Sequence, residues 1–392
     1  MFAFLVIALL VCPSVEGRSF ARKAYELERP ATVPSKKPVL TIHSKDGDVI
    51  DCVDIYAQPA FDNPLLKDHK IQVRPSFVPE GLEQTNSSRT HRSLSNWRKS
   101  GSCPAGTVPI LRSVPNLRPA TLSHASLKSA GDDPIDQPRK KLQENAWLRG
   151  VFPQGYAVYG ASGELNVWNP EVTSINETSL STIVLNAGDN DAESLWAGWA
   201  VNPALFGDYQ TRIFLQWHSS STAPCYNLNC GGFVQTGEDI TIGQTIATSR
   251  KGDKKHQYTL KFAIFKDMKT GNWILSVNGK QVGYWPGKLF THLNSWADTA
   301  IYGGSVTDTF YHGLHTETQM GSGEPPSKKD DNYGTVSFIA DIKYMNGDGD
   351  FKRLPKHEAL ITNSNCYDLI HQAHMFKDNI YFGGHGHGPD CE

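Results

Sequence analysis

The groups that could do chemistry in this sequence are few and scattered. His371-Gln-Ala-His374 and His385-Gly-His387 set imidazoles at spacings that could hold a transition metal, although the glycines around the second pair read as a solvated loop near Cys391. Ser305 could serve as a nucleophile with His312 or His315 as its base. A serine mechanism also needs a positioned base and oxyanion donors, and neither is visible in the spacing, so a plain strand serine is the simpler reading. Trp199, Trp217, Tyr226, Trp285 and Trp296 offer flat surfaces on which proline rings or sugars stack, with core packing the commoner role for any single one. Lys251, Lys254, Lys255 and His256 form a basic turn that reads as solvated. No cysteine spacing resembles a zinc site, and the sequence gives no reason to expect a bound metal.

The chain that must position these groups has 392 residues, 38 Lys plus Arg against 40 Asp plus Glu, and is 39 % hydrophobic and 10 % aromatic. That length accommodates two or three folding units. The near-neutral charge argues against a general nucleic-acid binder, and the apolar content argues against disorder. Residues 2–12 form one apolar run followed by Val15-Glu16-Gly17, which predicts a signal peptide over 1–17 despite the missing early positive charge. The competing reading is a buried N-terminal strand. The run is too short to cross a bilayer and no later stretch approaches the ~20 apolar residues required, so an exported chain that does not enter the membrane is expected.

Loss of Cys12 with that peptide would leave Cys52, Cys103, Cys225, Cys230, Cys366 and Cys391. Six cysteines allow about 15 pairings; three well-separated couples favour Cys52 with Cys103, Cys225 with Cys230, and Cys366 with Cys391. Asn86-Ser-Ser and Asn176-Glu-Thr are glycosylation acceptors that gain meaning only in the secretory pathway. Charge divides the chain: residues 18–141 hold 20 Lys plus Arg and 13 Asp plus Glu (+7), whereas 142–392 hold 18 and 26 (−8). Opposite surpluses favour docking of the two parts, weakened by acid; two independently solvated surfaces fit the charges equally well. Residues 84–102 and 113–140 read as linkers, the second leading into Arg139-Lys140-Lys141, a cluster that a processing protease could cut.

The second part alternates with the period of strands. Tyr258, Leu260, Phe262 and Ile264 share one face, and Asn278-Gly279 between two β-prone runs predicts a hairpin over 272–285. Thr211–Trp217, Ile240–Ile246 and Thr335–Tyr344 repeat the pattern, and no sustained helical period follows residue 150. The expected fold is all-β: an antiparallel β-sandwich over 142–392, preceded by a small pro-domain over 18–141.

Particular segments carry a resemblance. Asp51-Cys-Val-Asp-Ile-Tyr-Ala-Gln-Pro-Ala-Phe-Asp-Asn-Pro-Leu-Leu-Lys-Asp-His-Lys70 and Gly101-Ser-Cys-Pro-Ala-Gly-Thr-Val-Pro-Ile110 resemble the activation peptide of the plant neprosin family. Cys225-Tyr-Asn-Leu-Asn-Cys-Gly-Gly-Phe-Val-Gln-Thr236, Gly283-Tyr-Trp-Pro286, Leu289-Phe290 and His315-Thr-Glu-Thr-Gln-Met-Gly-Ser-Gly323 resemble its C-terminal domain, in the same order. The resemblance implies a secreted glutamic endopeptidase that cuts after proline, made as a zymogen whose basic segment covers an acidic cleft, with no metal or organic cofactor. Two glutamates on facing strands would do the chemistry, one ionised to activate water and one protonated to donate.

This chain departs from that pattern at both glutamates. Where the family reads Ser-Ile-Glu-Ala-Gly-Trp, the sequence is Ser194-Leu195-Trp196-Ala197-Gly198-Trp199; where it reads Gly-Gly-Glu-Val, the sequence is Gly303-Gly304-Ser305-Val306. Glu193 and Asp308 each lie three positions away, an odd offset that turns a strand side chain to the opposite face. Losing one acid or base typically costs ~10²- to 10⁴-fold, and losing a pair can abolish the mechanism. The expectation is a secreted, noncatalytic homologue that binds peptides or regulates, with Pro-rich peptides or cell-wall polymers as partners besides its own pro-domain. The alternatives are an active endopeptidase using displaced carboxylates and a cell-wall carbohydrate-binding module.

Overall fold

Short strands with β-branched and aromatic residues are the main regular elements among the described residues. The computed structural model describes residues 37–80, 82, 96–112, 142–220, 222–309, 314–329, 331–374 and 377–391. The expected signal peptide, Asn86, His312, Arg139-Lys140-Lys141 and most of both linkers lie outside the described residues. Three strands, β1 (Leu40–His43), β2 (Val49–Asp54) and β3 (Thr107–Leu111), form an antiparallel sheet in the order β1-β2-β3.

From Leu142 the strands are β4 (Leu142–Gly150), β5 (Gly160–Asn166), β6 (Thr178–Ala187), β7 (Glu193–Val201), β8 (Arg212–His218), β9 (Cys225–Tyr226), β10 (Val234–Gln235), β11 (Thr259–Lys266), β12 (Trp273–Val277) and β13 (Lys280–Trp285). They continue with β14 (Thr299–Asp308), β15 (Ser337–Met345), β16 (Phe351–Lys352), β17 (His357–Ile361), β18 (Asp368–His374) and β19 (Lys377–Gly383). One sheet runs β17-β4-β14-β6-β7-β8-β9; the other runs β10-β13-β12-β11-β5-β15-β19-β18, with β16 on β15, and every pairing is antiparallel. Among the described residues no helix is long and apolar enough to cross a membrane.

Side-chain alternation assigns the faces. On β7, Leu195, Ala197 and Trp199 enter the core between the sheets, while Trp196 and Ala200 join Leu180, Val184, Phe214 and Ile301 in a separate cluster on the outer face of the seven-stranded sheet. The hairpin forms where Asn278-Gly279 predicts it: both residues have positive φ (50° and 74°), joining β12 to β13. Ile240–Ile246 is not a strand. Its isoleucines are buried, but the backbone turns at Thr241–Gln244, where Gln244 N–H returns to Thr241 and Gly243 takes φ 88°.

The three expected disulfides are present. Cys52–Cys103 lies in a small cluster with Ile42, Ile50 and Trp97, which gives the first sheet a core of its own. That sheet and the segment after it dock on the sandwich through apolar contacts, with Ala60, Leu66 and Leu82 buried in the main core and Phe77 edge-on to Phe265, and through polar contacts. Arg212 is buried, its guanidinium donating to Asp48 (2.8 and 3.2 Å), to Asp208 (2.6 and 3.1 Å) and to Gly243 O. Gln58 and Gln235 exchange side-chain to backbone hydrogen bonds (3.0 and 2.7 Å). Asp267 accepts from Ser76 N, Ser76 Oγ and Gln72 Nε2. Arg98 pairs with Asp239 in the direction the charge surpluses predict, whereas the Asp48–Arg212 pair runs the other way, with the acid on the basic part.

Candidate functional site

The outer face of the seven-stranded sheet brings the two altered positions into one site. Trp196 is level with Val184 on β6 and Ile301 on β14, while Ser305 is level with Leu180 and Ala200; the two positions lie on the same face, two strands apart. Between those rows runs a third, in which Gly198 faces Thr182, Thr182 faces Gly303, and Gly303 faces Trp147 on β4. Glycine is required at both ends of Thr182. A Cβ on Gly198 would stand 2.0 Å from Ser181 O, and one on Gly303, where φ is +151°, would stand 2.1 Å from Ala146 O.

Trp147 closes this bare row. Its Nε1–H donates to Ser305 Oγ at 3.0 Å, and its ring meets that of Trp196 edge to face at a centroid distance of 5.7 Å. Ser305 Oγ–H in turn donates to Asn145 Oδ1 at 2.7 Å, an amide oxygen that cannot take up a proton near neutrality. Ser305 is therefore not activated as a nucleophile. His315 does not approach it; that ring is bonded to Glu144 on the opposite face of the sheet.

Trp196 anchors a second directional chain. Its Nε1–H donates to Ser194 Oγ (2.8 Å), Ser194 Oγ–H donates to His218 Nδ1 (2.9 Å), and His218 Nε2–H donates to the backbone oxygen of Asp191 (3.2 Å). The carbonyl acceptor fixes the neutral tautomer. Burial lowers the His218 pKa, outweighing the backbone oxygen of Asp191 and the nearby carboxylates, and Ser194 itself is wholly buried. Beside Trp196, Gln216 is fully buried and both atoms of its amide lack hydrogen-bond partners among the described residues; the same holds for Thr182 Oγ1. On β4 the same face is more accessible, with Asn145, Trp147 and Arg149 half-buried.

The displaced acids face away. Glu193 is buried on the inner side, accepting from Thr291 N (2.7 Å), His292 N (2.8 Å), Leu293 N (2.8 Å) and Ser220 Oγ (2.9 Å). Burial alone raises its pKa, but these donors outweigh it and the net shift is downward, as for a carboxylate fixed in its ionised form. Asp308 also points inward, accepting from Thr316 N. Glu317 is exposed at the rim of a cavity of about 360 Å³ on that side.

Three of the five aromatic groove candidates belong elsewhere. Trp199, three residues from Trp196 and so on the other face, donates to Asn166 O in the core; Trp217 packs on Phe290 and Trp285 on Phe233, also between the sheets. Tyr226 does lie on the outer face, against Phe214, and Trp296 is exposed on the segment before β14. Trp147, Asn145 and Gln216 were not among the candidates; the signal that could have found Trp147 is its place on the polar side of the alternation in Gln143-Glu-Asn-Ala-Trp147. Asn176 is exposed. His371 stacks on His357, and His385 bonds to Gly386 O; His374's side chain lies outside the described residues.

An antiparallel all-β sandwich with a small, disulfide-bonded sheet packed on its flank is the class that fold and site define. A family model described as neprosin matches residues 175–385, and one described as neprosin activation peptide matches residues 41–147. The chain belongs to the neprosin family. Among solved structures, it is similar to scytalido-glutamic peptidase with a transition state analog inhibitor (13 % identity, 62 % of this chain and 98 % of that one, TM-score 0.35). It is also similar to SCP-B, a member of the eqolisin family of peptidases, in a complex with the tripeptide Ala-Ile-His (12 %, 63 % and 98 %, TM-score 0.31), and to apo Crh5 transglycosylase (13 %, 64 % and 79 %, TM-score 0.24).

Proposed function

We propose that this chain is a secreted neprosin-family protein that retains the outer-face trough but not paired-glutamate catalysis, and that it acts by binding peptides, as a regulatory homologue or capture protein. The observation that carries this reading is the Trp196–Trp147–Ser305 contact. Where two carboxyl groups would hold a water between them, an indole N–H is bonded to a hydroxyl and a second indole packs against it. Neither group exchanges a proton near neutral pH, so neither half of the acid–base pair is replaced.

The part of this face that an extended peptide can reach is the β4 side, where Asn145, Trp147 and Arg149 are half-buried. Proline rings would stack on the half-buried Trp147, beside the half-buried Asn145. The test is retention of the purified protein on an immobilised Pro-rich peptide beside a cell-wall polysaccharide column. Retention on the peptide alone, weakened in Trp147→Ala, supports the reading; retention on the polysaccharide alone contradicts it and supports a carbohydrate-binding module.

A further inference from the structure

On the inner face, remote in sequence from one another, Glu144 of β4, Asp308 of β14 and His315 converge. His315 Nε2 is 2.9 Å from Glu144 Oε1 and 3.9 Å from Asp308 Oδ2, and one donor atom from each residue lies within 4.8 Å of the other two. All three residues are at least nine-tenths buried. His315 Nδ1–H donates to Thr316 O at 2.8 Å, which aims Nε2 at the two carboxylates; Asp308 is held by Thr316 N. A ring nitrogen steered by a bond from the other nitrogen is the arrangement that orients metal-ligating histidines.

One atom in this cluster is left over. Glu144 Oε2 is buried and has no hydrogen-bond partner among the described residues, an expensive position for a carboxylate oxygen. Neighbouring Glu177 differs: its oxygens are taken by Thr173, Thr309, Thr316 and Thr318. The sulfurs of Cys366 and Cys391 also lie near His315 but are joined to each other and offer no thiolate.

We infer that Glu144, Asp308 and His315 form a binding site for one divalent cation of the zinc class. Two carboxylates balance a double positive charge, and the imidazole selects zinc over calcium or magnesium. Ligands bonded at about 2.0–2.2 Å to a tetrahedral ion stand about 3.3–3.5 Å apart. The separations from His315 of 2.9 and 3.9 Å bracket that value, and the three donor atoms, all within 4.8 Å of one another, would draw together around the ion. The cavity lined by His315, Thr316, Glu317 and His387 provides the way in. The ion would tie β4 and β14 to the segment after β14, on the side of the sheet away from Trp196 and Ser305. Three protein ligands leave a fourth position to water from the cavity, and the role inferred for the ion is to hold these segments together.

The experiment is a zinc titration of the purified full chain after chelator treatment and desalting, read by calorimetry and by metal content. One zinc per chain is expected, with affinity reduced at least ~100-fold in Glu144→Gln and in His315→Ala, and unchanged in the double variant His371→Ala/His385→Ala. No zinc uptake by the unmodified chain overturns the inference, as does preference for calcium. Uptake lost only in the His371/His385 double variant also overturns it. Should a ligand variant fail to fold, the titration of the unmodified chain still decides.

Discussion

Replacing Asp267 by Asn should loosen the segment Gln72–Phe77 on the sandwich, where Phe77 also packs on Phe265, without disturbing the sheets. Asp267 is fully buried; one carboxylate oxygen accepts from Gln72 Nε2 (2.6 Å) and Ser76 N (2.6 Å), and the other from Ser76 Oγ (2.5 Å), Lys269 N (3.0 Å) and Thr270 N (3.3 Å). An amide of the same shape must turn its NH₂ toward one of these sets of donors. Hydrogen bonds to a charged acceptor contribute about 1.5–3 kcal/mol each, so a net loss of about 3 kcal/mol is expected, about a hundredfold in the opening equilibrium. Amide hydrogen exchange at Ser76, corrected for the intrinsic rate, should accelerate by that factor while β6 and β14 keep their protection. Equal protection of Ser76 in both proteins would refute the reasoning.

Acid should loosen the same interface in two stages. Burial, and then the charge of Lys288, lower the His69 pKa; His69 Nε2 accepts from Tyr284 O–H, whose oxygen already accepts from Gln72 N–H. A protonated ring would be a second donor at that oxygen. Docking strength tied to His69 is thus present above pH 6.5 and declines as pH falls below it. The carboxylates of Asp46 and Asp267 are shifted below 3.8 by their hydrogen bonds, against the raising effect of burial. Their contribution persists above 3.8 and is lost as pH falls through the lowered values, so Asp267→Asn should remove most of the second stage in a pH series of Ser76 protection.

Glu193→Gln should lower the unfolding temperature through loss of about 2–4 kcal/mol, because three backbone N–H groups of residues 291–293 converge on that carboxylate; calorimetry checks it, and no change would show that the loop holds itself. Gly303→Ala should cost more than about 3 kcal/mol, since its Cβ would lie 2.1 Å from Ala146 O, and a stable, well-folded variant would contradict the close approach of β4 and β14.

Much of the fold is legible in the chain, because period-2 alternation and turn chemistry are local. Asn278-Gly279 marks its hairpin, and the odd offsets of Glu193 and Asp308 place both acids on the face away from Trp196 and Ser305. The same rule separates Trp199 from Trp196, yet composition alone groups them as aromatics. Ile240–Ile246 shows the opposite failure: buried isoleucines imitate a strand while their backbone turns around Gly243 to bond with Ile213. What the sequence hides is contact across the sheets. Trp147 reaches Ser305 only because β4 lies beside β14, and Glu144 meets His315 across 171 positions.

The most direct test of an inert trough is incubation of the acid-treated, purified protein with a quenched Pro-rich peptide, beside the double variant Trp196→Glu/Ser305→Glu. The account predicts an intact peptide with the unmodified chain, and any turnover confined to the variant in which both carboxyl groups are restored. Robust cleavage by the unmodified chain, abolished by neutralising Glu193 or Asp308, would contradict it.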